Sequence, residues 1–134
     1  MALEINRTLA DDASMATFEV VATDGIGETD TLIVDVSSLS GAAGDGTERV
    51  MISNIEAFIS TTGGGGGPQP GAILSWDGGN DFLTLPSGVT TSSLCFRPSG
   101  GASGDILLTS PAAVVFTLRL TVKKIQGFAL SMAQ

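Results

Sequence analysis

Two short loops hold the densest groups of hard oxygen donors in the chain. They are Asp24, Glu28 and Asp30 in DGIGETD, and Asp77, Asn80 and Asp81 in WDGGND. Calcium takes several such oxygens at about 2.3–2.6 Å, and short acidic loops can supply them. Neither spacing matches the EF-hand loop. Asp-Gly also sets turn geometry unaided, so the expectation is two turns with solvated acids and no bound metal; the six residues are the candidates should calcium bind.

The run STTGGGGGPQPG (residues 60–71) raises a second possibility, a phosphate cradle. Such a loop needs a Lys-Ser/Thr after its glycines, at the entry to a helix, so that an ammonium and a hydroxyl meet phosphate and Mg²⁺. Here Pro68-Gln-Pro70 follows, then a strand pattern, and no lysine precedes Lys123. The expectation is a long connection that binds no nucleotide or other cofactor.

Catalytic constellations are scarce. The chain has no histidine, which excludes Ser-His and Cys-His relays and His-ligated zinc. Carboxylate pairs of the glycosidase kind stay open on sequence alone, yet only 5 % of residues are aromatic, few for stacking sugars. Trp76 alternates with Leu74 and is expected in the core. Cys95, between Leu94 and Phe96 and near no base, is expected to be a buried structural thiol. No enzyme is expected.

The elements that would position these residues are strands. In Val115-Phe-Thr-Leu-Arg-Leu-Thr-Val-Lys123, Phe116, Leu118, Leu120 and Val122 share one face, the period of two of a half-buried strand. Residues 31–36 repeat the pattern, placing Leu32, Val34 and Val36 inward opposite Ile33. Further strands are expected at 17–23, 49–61, 72–76, 81–85, 92–97 and 105–109. The alternation in 49–61 breaks near Asn54-Ile55, which predicts a bulge or bend. Hairpin turns are expected at 76–81 and 24–30. Residues 9–15 could form at most one helical turn. About eight short strands with regular turns predict an all-β fold, a single antiparallel β-sandwich of the jelly-roll kind.

Composition agrees with one domain over 1–134. Either side of the glycine run is too short for a robust core of its own, and a single cysteine allows no internal disulfide. Fourteen Asp/Glu against six Lys/Arg give a net charge of −8, with the cations scattered, which argues against nucleic acid or an anionic membrane as partner. The opening MALEINRTLADDASM has no basic region followed by an apolar core, so no signal peptide is expected. No apolar run has the ~20 residues of a spanning helix. The segments 1–15 and 125–134 lie outside the strand pattern yet carry Leu3, Ile5, Leu9, Phe128 and Leu130. They read as arms that pack either on their own domain or on a neighbour.

The motifs GIGETDT (25–31), LSWDG (74–78), Gly100-Gly101, GDILLTS (104–110) and VFTLRLTVKK (115–124) together resemble a family of small β-structured virion proteins of tailed bacteriophages, particularly marine ones. The resemblance covers roughly residues 15–124; glycines 63–67 and the residues beyond Lys124 depart from it. It implies a capsid decoration (cement) protein on the virion surface, assembled in the host cytoplasm. Its partners would be the major capsid protein and copies of itself, a trimer among the candidate assemblies, with no catalytic residue. On that reading Arg7, Arg49, Arg97 and Arg119 are candidate interface residues, since Arg pairs well with carboxylates at desolvated contacts; Phe128 and Leu130 join them. A tail or head-to-tail component and a calcium-dependent carbohydrate-binding module are the alternatives.

Overall fold

The period-two patterning becomes nine strands in the computed structural model, which describes residues 5–22, 27–44, 47–61, 71–79, 82–86, 88–98, 104–110 and 114–128. The strands are β1 (Ile5–Asp11), β2 (Met15–Ala22), β3 (Glu28–Val34), β4 (Arg49–Thr61), β5 (Ala72–Trp76), β6 (Phe82–Leu85), β7 (Gly88–Phe96), β8 (Ile106–Ser110) and β9 (Val114–Gln126). Among the described residues the one helical element is a 3₁₀ turn at Val36–Ser38. Asp35 caps it by accepting the Ser37 N–H at 3.1 Å. Among the described residues no helix is long and apolar enough to cross a membrane.

One sheet runs β1-β2-β9-β4-β7 and the other β3-β8-β5-β6. The antiparallel pairings are nested: β5 with β6, β4 with β7, β3 with β8, β2 with β9. A single long hairpin, folded back at the β5–β6 turn and rolled so that successive pairs fall in alternate sheets, produces this order. That is a jelly roll, with β1 added outside β2.

Between the sheets lie Phe18 and Val20 of β2, Ile52, Ile55 and Ile59 of β4, Leu74 and Trp76 of β5, Ile106 and Leu108 of β8, and Phe116, Leu118 and Leu120 of β9. Each such side chain contributes about 1.5–3 kcal/mol by leaving water. The Trp76 ring reaches across to Phe96 of β7, with centroids 5.4 Å apart and planes tilted by 34°, so this pair joins one sheet to the other.

Several expectations hold and several are corrected. The break in β4 is a register shift between Ile52 and Asn54 against both neighbours. The 76–81 hairpin does join two paired strands. By contrast, β2 and β3 lie in different sheets, so no hairpin is formed at 24–30, and Glu28 to Asp30 already belong to β3. Leu32 points outward, 45 % exposed, while Ile33 and Val34 are both buried; a register shift between Leu32 and Val34 against β8 breaks the alternation. Cys95 is exposed, because Leu94 and Phe96 on either side take the inward phase of β7. Strand β7 begins at Gly88, four residues before the expected start.

The residues 9–15, which could at most have formed one helical turn, form none: Leu9 and Asp11 lie in β1, and the chain reverses at Asp12, whose Oδ1 accepts the N–H groups of Ser14 and Met15 at 2.9 Å each. Those two hydrogen bonds hold the Asp12 carboxyl below its usual pKa. The described part of the 1–15 segment is thus a sheet strand. At the other end, Ile125 and Gln126 finish β9, and Phe128 makes a bridge to Ala42.

A buried lysine fastens this corner. The Lys124 ammonium donates to Asp11 Oδ1 (2.6 Å), the Asp12 carbonyl (2.5 Å) and the Ser40 carbonyl (2.8 Å), which satisfies all three of its protons. The Phe128 ring lies 5.2 Å from it. Asp11 in turn accepts the Ser40 N–H at 2.7 Å. Nearby, Glu48 is also buried and accepts the Gly44 N–H. Gly127 passes over Glu48 with φ +78°, so close that a Cβ there would sit 2.6 Å from Glu48 Cα.

Candidate functional site

Past the shift at Asn54, Ile55, Ala57 and Ile59 fill the core phase of β4, which leaves Glu56, Phe58 and Ser60 on the outer face of the five-stranded sheet. The register then sets these residues in rows that cross the strands. Arg7, Glu19, Arg119 and Glu56 alternate in sign across β1, β2, β9 and β4, and the row ends at Thr91 on β7. Arg7 holds Glu19 through Nη2 at 2.5 Å and Nε at 2.8 Å, and Arg119 Nη2 approaches the other oxygen at 3.4 Å. The Arg7 guanidinium, aided by that of Arg119, keeps the Glu19 carboxyl below its usual pKa.

One row along, Val21, Thr117, Phe58 and Val89 line up. Phe58 is 59 % exposed and Val89 75 %. Opposed side chains of this kind stabilise a sheet locally, but such exposure of large apolar groups exceeds what sheet stability requires. A further row is polar and uncharged: Thr17, Thr121, Asn54 and Ser93, with the two threonine hydroxyls 3.3 Å apart. Phe58 separates two shallow depressions. One, of about 360 Å³, is bordered by Glu56, Val89, Thr91, Thr117 and Arg119; the other, of about 160 Å³, by Ser60, Val115 and Thr117. The face therefore offers an apolar ridge beside Glu56 and the Arg7–Glu19–Arg119 ion pairs.

Of the residues singled out from sequence, Arg7 and Arg119 come together here, but as the cations that hold Glu19. Arg49 donates to the Glu48 carbonyl at 2.7 Å at the other end of the molecule. Arg97 is exposed just past β7. Phe128, expected on an arm, is docked on its own domain. Leu130, Asp24, Asn80, Asp81 and the Glu28 side chain lie outside the described residues, as do glycines 63–67. Asp30 is bonded to Thr109 at the end of β8, its N–H donating to Oγ1 at 3.0 Å. Asp77 sits at the start of β8, its N–H donating to the Asp105 carbonyl at 3.0 Å. The length of β8 separates them, so these two acids cannot share an ion. Among the described residues no group of three or more candidate ligands could hold a metal.

Phe58 and Val89 were not singled out from sequence. The signal for Phe58 was its phase: it alternates with Glu56 and Ser60 and not with Ile55, Ala57 and Ile59. No protein-family model matches the chain, and no curated protein or solved structure matches it.

Proposed function

We propose that the chain is a non-enzymatic structural component of a tailed-phage virion, a decoration protein that binds the outer surface of the assembled head. The observation that carries this reading is the outer sheet face, where Phe58 and Val89 stand exposed next to the ion pairs that Arg7 and Arg119 make with Glu19. Apolar anchors of this sort, framed by polar groups, are the usual energetic centre of a protein interface. The jelly roll, common among capsid proteins, supports the reading at the level of fold alone. A protein that binds only the assembled shell stabilises the shell by mass action, which opposes the outward pressure of packaged DNA.

Purified protein is expected to co-sediment with expanded heads, and heads lacking it are expected to lose heat resistance. F58E is expected to weaken binding roughly tenfold or more, as loss of a central anchor does, while leaving the fold intact. Wild-type protein that stays in the supernatant would overturn the reading. A tail or head-to-tail component would instead fractionate with tails. The 360 Å³ depression beside Phe58, with Glu56 and Arg119 at its border, favours a second reading as a carbohydrate-binding module, since a sugar ring can stack on the phenyl face. That reading requires the isolated protein to retain glycans with no capsid present.

A further inference from the structure

On the outer face of the larger sheet, six side chains from three adjacent strands form a grid. Arg119, Glu56 and Thr91 make one row across β9, β4 and β7, and Thr117, Phe58 and Val89 make the next. With strands about 4.8 Å apart and alternate residues about 7 Å apart, the grid has the footprint of one pyranose ring and its substituents. These side chains border the depression of about 360 Å³, within the range of roughly 300–1,000 Å³ usual for small-molecule sites.

What the grid leaves unsatisfied decides what fits it. Arg119 stands opposite Glu19 on one side and Glu56 on the other, and turns to Glu19 at 3.4 Å. The exposed Glu56 carboxylate is thereby left without an ion pair among the described residues. The formal charges of Arg119 and Glu56 cancel within the grid. An anionic ligand would meet Glu56 and the field of a chain of net −8. A cation would meet Arg119. A purely apolar ligand would strip water from four polar side chains and return no hydrogen bond.

We propose that the grid binds a neutral sugar ring, and does so without calcium. The inference rests on the carbohydrate reading of this face and names its ligand class. Glu56 accepts two neighbouring hydroxyls on its two oxygens, Arg119 donates through N–H groups not engaged by Glu19, and the Thr91 and Thr117 hydroxyls both donate and accept. The C–H face of the ring lies on Phe58, which is 59 % exposed, with Val89 at its margin. The grid's one carboxylate is too little to chelate calcium, which takes about six to eight oxygens.

The test is retention of the purified protein on immobilised neutral glycans (a β-glucan, an α-glucan, a galactan and a mannan) beside two anionic ones, alginate and heparin, in EDTA and again in calcium. At least one neutral glycan is expected to retain it equally in both, and neither anionic one is. F58A and E56Q are each expected to weaken that retention about tenfold or more, through loss of the stacking face and of charge-assisted hydrogen bonds. L32A, on the opposite sheet, should bind as wild type, and circular dichroism checks the fold of all three variants. Retention by no glycan would overturn the carbohydrate reading and the inference together. Retention on an anionic glycan, release by EDTA, or wild-type retention of F58A or E56Q would overturn the inference and leave that reading standing. Head binding is read separately, by co-sedimentation.

Discussion

Lys124 sits in a protein-lined pocket that leaves its side chain no exposure, while Asp11 keeps 22 %. Replacing one partner of such a pair leaves the other's charge desolvated and unanswered, which is the costly way to break it. K124M is therefore expected to lower unfolding free energy by about 3 kcal/mol, whereas K123M, at the exposed neighbour, should stay within about 0.5 kcal/mol. Urea unfolding of the two variants checks the contrast. Asp105 behaves oppositely to Glu19. Burial pushes its carboxyl up, and Asp35, Asp77 and Glu48 add to that, against the hydrogen bond it accepts from the Val36 N–H at 3.0 Å. With the folded pKa above the unfolded one, the folded state binds the extra proton between the two values, so stability falls as pH rises through that window. Above the folded value the cost is present in full. D105N keeps an acceptor for Val36 and is expected to melt above wild type at pH 7. The gain should shrink as pH falls and vanish below about 4, the unfolded value. A difference in melting temperature that does not change with pH would show that another effect is at work.

At the scale of elements, two leucines in strands separate the inward phase from the outward one. L74A on β5 empties a fully buried site and is expected to cost about 3 kcal/mol. L32A, on the bulged stretch of β3, should cost less than about 0.5 kcal/mol; denaturant midpoints distinguish them. The sequence pattern alone ranks these two alike, and this shows where legibility stops. Long alternation made β9, β4 and the inward face of β5 readable, because one phase error there would expose many apolar groups at once. Leu32 was misplaced because a bulge is a decision of the pair, made with β8, and leaves no mark on β3 itself. Strand β1 was missed since INRTLAD holds mixed chemistry, and its strand state depends on β2 and on the Lys124 clamp. Cys95 was misread because apolar neighbours at i−1 and i+1 imply the opposite phase for the residue between them. Of the outer face, Arg7 and Arg119 were picked out for their chemistry. Their shared partner Glu19 lies a hundred residues from one of them, and only the fold brings the three together. Phe58 was legible by phase yet easily taken for core.

For the whole molecule, the nested pairing makes most sheet contacts long-range, β1–β2 and β5–β6 being the local exceptions, and such topologies fold slowly because loop closure precedes its reward. The single tryptophan lies between the sheets against Phe96, so its fluorescence reports their docking. Stopped-flow refolding is expected in the millisecond-to-second range; submillisecond recovery would contradict the nested order. The same nesting has a consequence on the ribosome. Strand β9 lies between β2 and β4 and is the last of the nine to be made. Until residues 114–126 emerge, the larger sheet exists as two fragments with raw inner margins, for some seconds at ordinary elongation rates. Neighbouring nascent chains on one polysome present the same unfilled slot and the same missing strand. The emergence of β9 thus decides between a chain that closes on itself and one that takes its ninth strand from the chain alongside.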